Sequence, residues 1–164
     1  MVGALARFNI NHDQLLPQAK GVSTELGLSA PCHNPFMITV AQVVESVHAV
    51  EDSIRIIDEL ISRGLKEDTN TVMVRAGRGI GVVEAPRGIL FHDYTYDESG
   101  VLTKANCVIP TNQNHNNIQK DMEALVPLIL SQPEDEIAHT LEMLVRAYDP
   151  CISCSAHLLK VTFK

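Results

Sequence analysis

The stretch TVAQVVESVHAVEDSIRIIDELISRG, residues 39–64, carries the clearest structural pattern in the chain. Its apolar residues recur at intervals of three and four, which is the period of one face of an α-helix. These residues are Val40, Val44, Val47, Val50, Ile54, Ile57 and Ile61. Thr39 is a favourable N-cap and Gly64 a favourable stop. The pattern therefore predicts a long amphipathic packing helix within residues 36–64.

The segments on either side of this helix differ in character. Residues 1–35 are interrupted by proline and glycine, so we expect them to be irregular or only briefly helical. Residues 71–110 are β-rich, with two strand-like stretches joined by a turn at residues 97–100. The two stretches are residues 88–95 and 101–109. The glycine-rich run at 77–81 lacks the strand–helix unit of a nucleotide site, which favours a turn or close backbone packing.

The helical period returns in residues 112–148. One helix is marked by Ile118, Met122, Leu125 and Ile129, and Pro127 should kink it or end it early. A second helix follows Pro133, and three acidic residues at its start suit the positive end of the helix dipole. Its apolar stripe is Ile137, Leu141, Leu144 and Val145. We therefore predict a single α+β domain, mainly helical, with a central β-hairpin or small antiparallel sheet.

Composition limits the function. The chain has 164 residues, 45 % hydrophobic and 20 % charged, with a net charge of −7 and no tryptophan. Nucleic acid is disfavoured as a partner, because its binding needs a basic face. No apolar run is long enough to span a bilayer, and the N-terminal apolar stretch is too short for a signal peptide. We therefore expect a cytoplasmic protein without direct membrane insertion.

The chemistry concentrates near the C-terminus, where residues 149–157 read DPCISCSAH. Cys151 and Cys154 are spaced so that both sulfurs can reach one metal ion, and His157 can add a nitrogen ligand. By spacing alone this is a metal site, half of a zinc site, a thiol–disulfide pair, or two small buried side chains. Cys32 and Cys107 are isolated, so the chain lacks a second close pair for a four-thiolate site.

The cysteine motif resembles the C-terminal signature of nickel–iron hydrogenase large subunits. Further segments agree in order: EAPRG at residues 84–88, VIPT at residues 108–111 and, more weakly, GALARF at residues 3–8. The resemblance covers nearly the whole chain but only the later part of a family member. It is most similar to the cytoplasmic, cofactor-coupled hydrogenases. It implies an enzyme that oxidises dihydrogen reversibly to protons and electrons.

The resemblance also implies roles for individual residues. Cys151 would bind nickel, and Cys154 would bridge nickel and iron. His157 and the backbone carbonyl of Cys107 would bind magnesium, while the iron would carry carbonyl and cyanide ligands. Arg87 would lie over the active site beside a cyanide. The residues implied to surround the centre are Pro86, Ile109 and Pro110 as an apolar wall, Thr111 as a donor to cyanide, and Asp149 close to Arg87.

The chain departs from the family pattern in one large respect. The family's N-terminal half carries another Cys-x-x-Cys pair and a proton-relaying glutamate, and no such pair occurs here. We therefore expect the isolated chain to be inactive and to need that N-terminal half, further electron-acceptor subunits and an iron–sulfur small subunit. Residues 158–164 form a tail beyond the motif. Two alternatives remain: a catalytically inactive hydrogenase-like interaction module, and a zinc or redox Cys-x-x-Cys protein.

Overall fold

The computed structural model describes residues 1–67, 72–154 and 159–162. Within these ranges the fold is α+β and mainly helical, which confirms the predicted class. The helices are α1 (Ala4–Asn11), α2 (Pro17–Glu25), α3 (Ile38–Arg63), α4 (Pro110–Ile129) and α5 (Glu134–Ala147). The strands are β1 (Gly77–Ala85), β2 (Gly88–Tyr96) and β3 (Leu102–Val108), in the order β1-β2-β3. Every strand pairing in the described residues is antiparallel.

The long helix is present, but its start differs from the prediction. A 3-10 turn at Pro35–Met37 leads into α3, and the side chain of Asn34 accepts a hydrogen bond from the Phe36 backbone N–H at 3.0 Å. Met37 occupies the N-cap position of α3, so Thr39 lies inside the first turn and the predicted N-cap was wrong. Gly64 follows the last helical residue with φ 77°, a conformation that glycine adopts without strain.

Burial along α3 is uneven. Ile38, Ala41 and Val44 are buried, and Val44 is 0 % exposed. The same apolar stripe continues through Ile57 to Ile61, which is 74 % exposed. Only the first half of the helix is therefore covered by the described residues.

The N-terminal segment contains two short helices, in agreement with the briefly helical alternative. Residues 1–35 hold α1 and α2, where the glycine and proline spacing predicted irregular or briefly helical chain. Such short helices are marginal alone and depend on tertiary packing. Here that packing is supplied by Leu5, Phe8 and Ala19, which join a core cluster with Val44 and Leu144.

The sheet carries another correction. The glycine-rich run at residues 77–81, expected to be a turn or a close backbone approach, is the beginning of β1. It pairs with β2 in continuous register from Gly77 opposite Tyr96 to Ala85 opposite Gly88. Backbone pairing defines a strand, so small residues are accommodated where the neighbouring strand supplies the hydrogen bonds. The predicted hairpin at residues 97–100 is confirmed between β2 and β3.

The last two helices form as the apolar period indicated. Pro127 lies inside α4, and the helix continues two residues beyond it to Ile129, so the predicted early end is wrong. Ile129 is buried against Ile137 and Leu141 of α5, and this packing offsets the backbone bond that proline removes. None of the helices in the described ranges combines the length and apolarity that a bilayer crossing requires.

Candidate metal centre

The cysteine motif begins where α5 ends. Asp149 has φ 46°, an uncommon conformation for a residue other than glycine, and it turns the chain away from the helix axis. Cys151 and Cys154 then form a tight turn in which the Cys154 N–H donates to the Cys151 carbonyl at 3.1 Å. Their Cα atoms are 5.2 Å apart, and their sulfurs are joined in a disulfide. The two sulfurs are therefore close enough to meet at one point, as either a thiol–disulfide pair or a shared metal site requires.

The Arg87 side chain contacts the residue Asp149, just before this turn, from a distant part of the sequence. It occupies the two-residue turn, Pro86 and Arg87, that joins β1 to β2. Its Nε donates to the backbone carbonyl of Asp149 at 2.5 Å and lies 3.0 Å from the Asp149 carboxylate. Gln42 of α3 donates to the same carboxylate at 3.1 Å. A cation, a carboxylate and an amide therefore meet immediately before Cys151.

Thr111 supplies a third contact to the motif. Pro110 is the first residue of α4, and Thr111 follows it with only 4 % of its surface exposed. The Thr111 Oγ1 accepts a hydrogen bond from the Cys151 backbone N–H at 3.1 Å. A hydroxyl that accepts through its oxygen still has its own O–H to donate. The VIPT segment is thus fixed directly to the cysteine turn.

The N-terminal residues support both the Arg87 turn and α4. Asn114 is buried, and its amide exchanges hydrogen bonds with the Val2 backbone at 2.8 and 3.0 Å. A Cβ on Gly3 would lie 2.9 Å from the Arg87 carbonyl oxygen, so the two backbones touch. A Cβ on Gly88 would meet the Val2 side chain at 2.6 Å. Only glycine fits at these two contacts.

Arg7 is the residue that the sequence reasoning overlooked. It lies in the GALARF stretch, which contributed to the family resemblance but received no role. Its guanidinium donates to both carboxylate oxygens of Glu45 and to the carbonyls of Ala85 and Pro86. The hydrogen bond from Arg7 to Glu45 is the main reason that the pKa of Arg7 is raised above its ordinary value. No periodic pattern marks Glu45, Gln42 or Asn114, so their contacts emerge only in the folded chain.

The remaining residues implied by the resemblance are placed differently. Ile109 and Pro110 are half-buried beside Thr111, whereas Pro86 is exposed. Cys107 lies on β3, with its sulfur 3.6 Å from the Tyr94 hydroxyl. His157 lies outside the described residues. Their roles as ligands stay predictions.

The donor set of the cysteine turn fits part of a metal site. Cys151 and Cys154 bring two sulfurs to one surface point, and thiolates suit nickel and low-valent iron once the disulfide is reduced. Among the described residues no group of three His, Cys, Asp or Glu side chains is arranged to hold a metal ion. The two described cysteines thus fit one side of a thiolate centre.

This geometry defines a cysteine turn suited to a soft metal and packed against a cation and a threonine hydroxyl. The model of the nickel-dependent hydrogenase family matches residues 6–157. That match includes the cysteine turn, the Arg87 turn and Thr111, and the chain therefore belongs to this family.

Individual relatives agree with the family assignment. The chain is similar to the sulfhydrogenase 2 alpha subunit of Pyrococcus furiosus, with 32 % identity over 98 % of this chain and 39 % of that protein. It is also similar to an F420-non-reducing hydrogenase polypeptide of Methanothermobacter marburgensis, with 43 % identity over 52 % of this chain and 19 % of that protein. The chain therefore spans less than half the length of either relative.

A solved structure extends the likeness to three dimensions. It is described as an NAD+-reducing [NiFe]-hydrogenase in the H2-reduced state. The TM-score is 0.77 at 26 % identity, over 95 % of this chain and 35 % of the solved chain. The fold described above is therefore the fold of a corresponding part of a larger hydrogenase chain.

Proposed function

We propose that the chain is part of the large subunit of a nickel–iron hydrogenase that oxidises dihydrogen reversibly to protons and electrons. The observation that carries the proposal is the contact among three separated segments. Arg87 donates to Asp149, and Thr111 accepts from the Cys151 N–H. Segments 62 and 40 residues away from the motif therefore meet at one thiol pair. Membership of the nickel-dependent hydrogenase family supports the same conclusion.

In this proposal the reduced cysteines are the metal ligands on this side of the centre. Cys151 would hold nickel, and Cys154 would hold nickel and iron. His157 and the Cys107 carbonyl would hold a magnesium ion, and the iron would carry carbonyl and cyanide ligands. A bound nickel–iron centre would supply the electron-rich metal pair at which dihydrogen is cleaved. These assignments follow the family resemblance, and the two sulfurs at one surface point support the first two.

The protein groups around the centre would tune it electrostatically. Arg87 is a permanent cation whose flat guanidinium suits several acceptors, and Asp149 fixes its orientation. Thr111 keeps its O–H available because its oxygen accepts from Cys151. A wall of Pro86, Ile109 and Pro110 would limit water, which strengthens both interactions. We infer that the Arg87 and Thr111 donors stabilise cyanide ligands on the iron.

The partners follow from what the described residues leave uncovered. The second half of α3 presents Ile54, Ile57 and Ile61 to solvent, each more than half exposed. A contiguous apolar stripe of this kind marks a polypeptide interface. We propose that the rest of the large subunit, bearing the second Cys-x-x-Cys pair, covers this stripe and completes the ligand set. An iron–sulfur small subunit would then take up the electrons, and further subunits would carry them to the acceptor.

We further place the protein in the cytoplasm, among cofactor-coupled hydrogenases. One of the similar proteins is named as an NAD+-reducing hydrogenase, and this name supports the cofactor-coupled type. The electron acceptor itself would bind on another subunit.

Substitution of Cys154 by serine in the assembled complex tests the proposal. We expect Cys154→Ser to abolish hydrogen oxidation with an artificial electron acceptor and to lower nickel and iron content, because the alcohol is a poor soft-metal ligand. The matched control is Cys32→Ser, since Cys32 is a free, half-buried cysteine outside the motif. Metal content is measured by elemental analysis of the same preparations.

The outcomes separate the three functions. Unchanged hydrogen uptake in Cys154→Ser would rule out the hydrogenase role. A wild-type complex without nickel, iron or hydrogen uptake would identify an inactive interaction module. Stoichiometric zinc, or two thiols that oxidise reversibly without any metal, would assign Cys151 and Cys154 to the zinc or redox alternative.

A further inference from the structure

We propose that Arg7, held by Glu45, is a positioning residue that sets the place of Arg87 at the cysteine turn. This inference deepens the proposed function and rests on it for the catalytic consequence. Its structural part, that Arg7 fixes the turn carrying Arg87, stands on the contacts of the chain alone.

The contacts of Arg7 converge on the backbone of the Arg87 turn. Its Nη1 donates to the Ala85 carbonyl at 3.0 Å, and its Nη2 donates to the Pro86 carbonyl at 2.9 Å. These two carbonyls immediately precede Arg87 in the chain. The guanidinium therefore fixes two consecutive peptide planes, and with them the direction in which the Arg87 side chain leaves the turn.

Glu45 fixes the position of the Arg7 guanidinium. Its two carboxylate oxygens accept from the Arg7 Nε and Nη2 at 2.6 and 2.7 Å, which is a bidentate pairing. The carboxylate of Glu84 lies 3.3 Å from the same Nε. The Arg7 side chain is 18 % exposed, so solvent screens these interactions less than it screens a surface pair.

Arg7 and Glu45 both lie next to buried core residues in their helices. Arg7 lies between Leu5 and Phe8, which α1 buries, and Glu45 follows Val44, which α3 buries. The N-terminal backbone adds a second support, because Gly3 packs against the Arg87 carbonyl. The backbone of the Arg87 turn is thus held by residues that belong to the core or pack next to it. The Arg87 side chain binds Asp149 on the other side of the turn.

A purely structural ion pair would stabilise the whole chain without a preference for the Arg87 turn. Loss of a positioning residue would loosen the Arg87 turn in particular and displace the Arg87 side chain. Arg7→Lys separates these possibilities, because an ammonium keeps the charge but cannot bind Glu45 and two carbonyls in one plane. The matched control is Arg78→Lys, since Arg78 makes a bidentate pair with Asp93 on the exposed part of the sheet.

The first measurement is amide hydrogen exchange on the full chain, with or without bound metal. We expect Arg7→Lys to accelerate exchange in residues 84–89 roughly tenfold or more, with little change in the hairpin at residues 97–101. Glu45→Gln should accelerate the same segment to a smaller extent. Arg78→Lys should leave residues 84–89 unchanged.

The second measurement uses the assembled, metal-loaded complex. We expect Arg7→Lys to shift the infrared cyanide bands and to lower the turnover of dihydrogen by roughly 100-fold, the order expected for a displacement of about 1 Å at a reacting centre. Arg78→Lys should alter neither. Faster exchange confined to residues 84–89, together with shifted bands, would establish the positioning role.

Two results would overturn the structural part of the inference, that Arg7 fixes the Arg87 turn. One is unchanged exchange at residues 84–89 in Arg7→Lys, and the other is equal acceleration across the whole chain, which identifies a general stabilising pair. Unmoved cyanide bands despite a loosened turn would also remove the link to Arg87. A wild-type complex without nickel or hydrogen uptake would instead refute the proposed function, and the exchange measurement would still decide whether Arg7 fixes the turn.

Discussion

The two halves of α3 carry one continuous apolar stripe but have opposite surroundings. In the first half Val44 is 0 % exposed, and α1 and α2 pack against this helix. In the second half Ile54 and Ile61 continue the same stripe at 57 % and 74 % exposure. The difference shows that an apolar period identifies which face of a helix is buried, and the identity of the covering element depends on the rest of the assembly.

The same contrast recurs between two arginine pairs. Arg7 binds Glu45 at 2.6 and 2.7 Å, and Arg78 binds Asp93 at 2.7 Å through both donors. Their chemistry matches, whereas the Arg7 side chain is 18 % exposed and that of Arg78 is 62 % exposed. The described residues thus include a packed region, formed by α1, α2, the first half of α3, α4 and α5, and an outlying region, formed by the second half of α3 and most of the sheet.

The largest effect should come from a cavity in the packed region. Leu144 is 1 % exposed, so Leu144→Ala should lower the free energy of unfolding by about 2–5 kcal/mol in urea denaturation of the purified chain. Ile61→Ala, on the exposed half of α3, should change it by about 0.5 kcal/mol or less. Equal losses in the two variants would show that the outlying half of α3 is covered in the free chain.

A smaller loss should follow from overfilling the contact behind the Arg87 turn. Gly88 has φ 148°, and an added Cβ would lie 2.6 Å from the Val2 side chain and 3.0 Å from Pro110. Gly88→Ala should therefore destabilise the chain by about 1–3 kcal/mol, measured by thermal unfolding. Gly81→Ala is the control, because nothing lies within 4 Å of its added Cβ. A neutral Gly88→Ala would mean that the N-terminal segment does not pack against the turn.

These contrasts also explain how far the sequence could predict the molecule. The period of three and four identified α3, and the acidic start after Pro133 identified α5, because both are local signals. Cys151, Arg87, Thr111 and Asp149 were found through short motifs. Arg7 and Glu45 were not, because a pair separated by 38 residues has no local period. The strand at residues 77–81 was missed because its partner strand, rather than its own glycines, determines it.

A third prediction concerns a polar contact within the packed region. Tyr148 is 5 % exposed, and its hydroxyl donates to the Asp121 carboxylate at 2.5 Å. Burial raises the pKa of Tyr148 above its ordinary value of 10.0. Tyr148→Phe should cost about 1–2 kcal/mol of unfolding free energy at neutral pH, because the half-buried Asp121 carboxylate loses its donor. Tyr96→Phe on the exposed sheet should be nearly neutral, and the reverse order would contradict the assignment of the two regions.

The same tyrosine predicts a dependence on alkaline pH. A phenol whose pKa is raised on folding contributes stability that is present below the unfolded pKa and is lost as pH rises through the folded pKa. Wild-type stability should therefore begin to fall above about pH 10. The difference between the wild type and Tyr148→Phe should shrink over that range. A difference that stayed constant would assign the effect to packing of the ring alone.

The smallest effect is expected at the Arg78–Asp93 pair. The hydrogen bond from Arg78 lowers the pKa of the Asp93 carboxyl group below its ordinary value of 3.8. Any contribution from the depressed pKa is present above the unfolded pKa and is lost as pH falls through the folded pKa. Asp93→Asn should thus differ from the wild type slightly at neutral pH and converge with it in acid. Because both side chains reach solvent, molar salt should remove the difference. A difference in stability that resisted salt, or that grew in acid, would show that the sheet is shielded from solvent. In that case a double-mutant cycle with Arg78→Gln and Asp93→Asn would report a coupling energy comparable to that of Arg7 and Glu45.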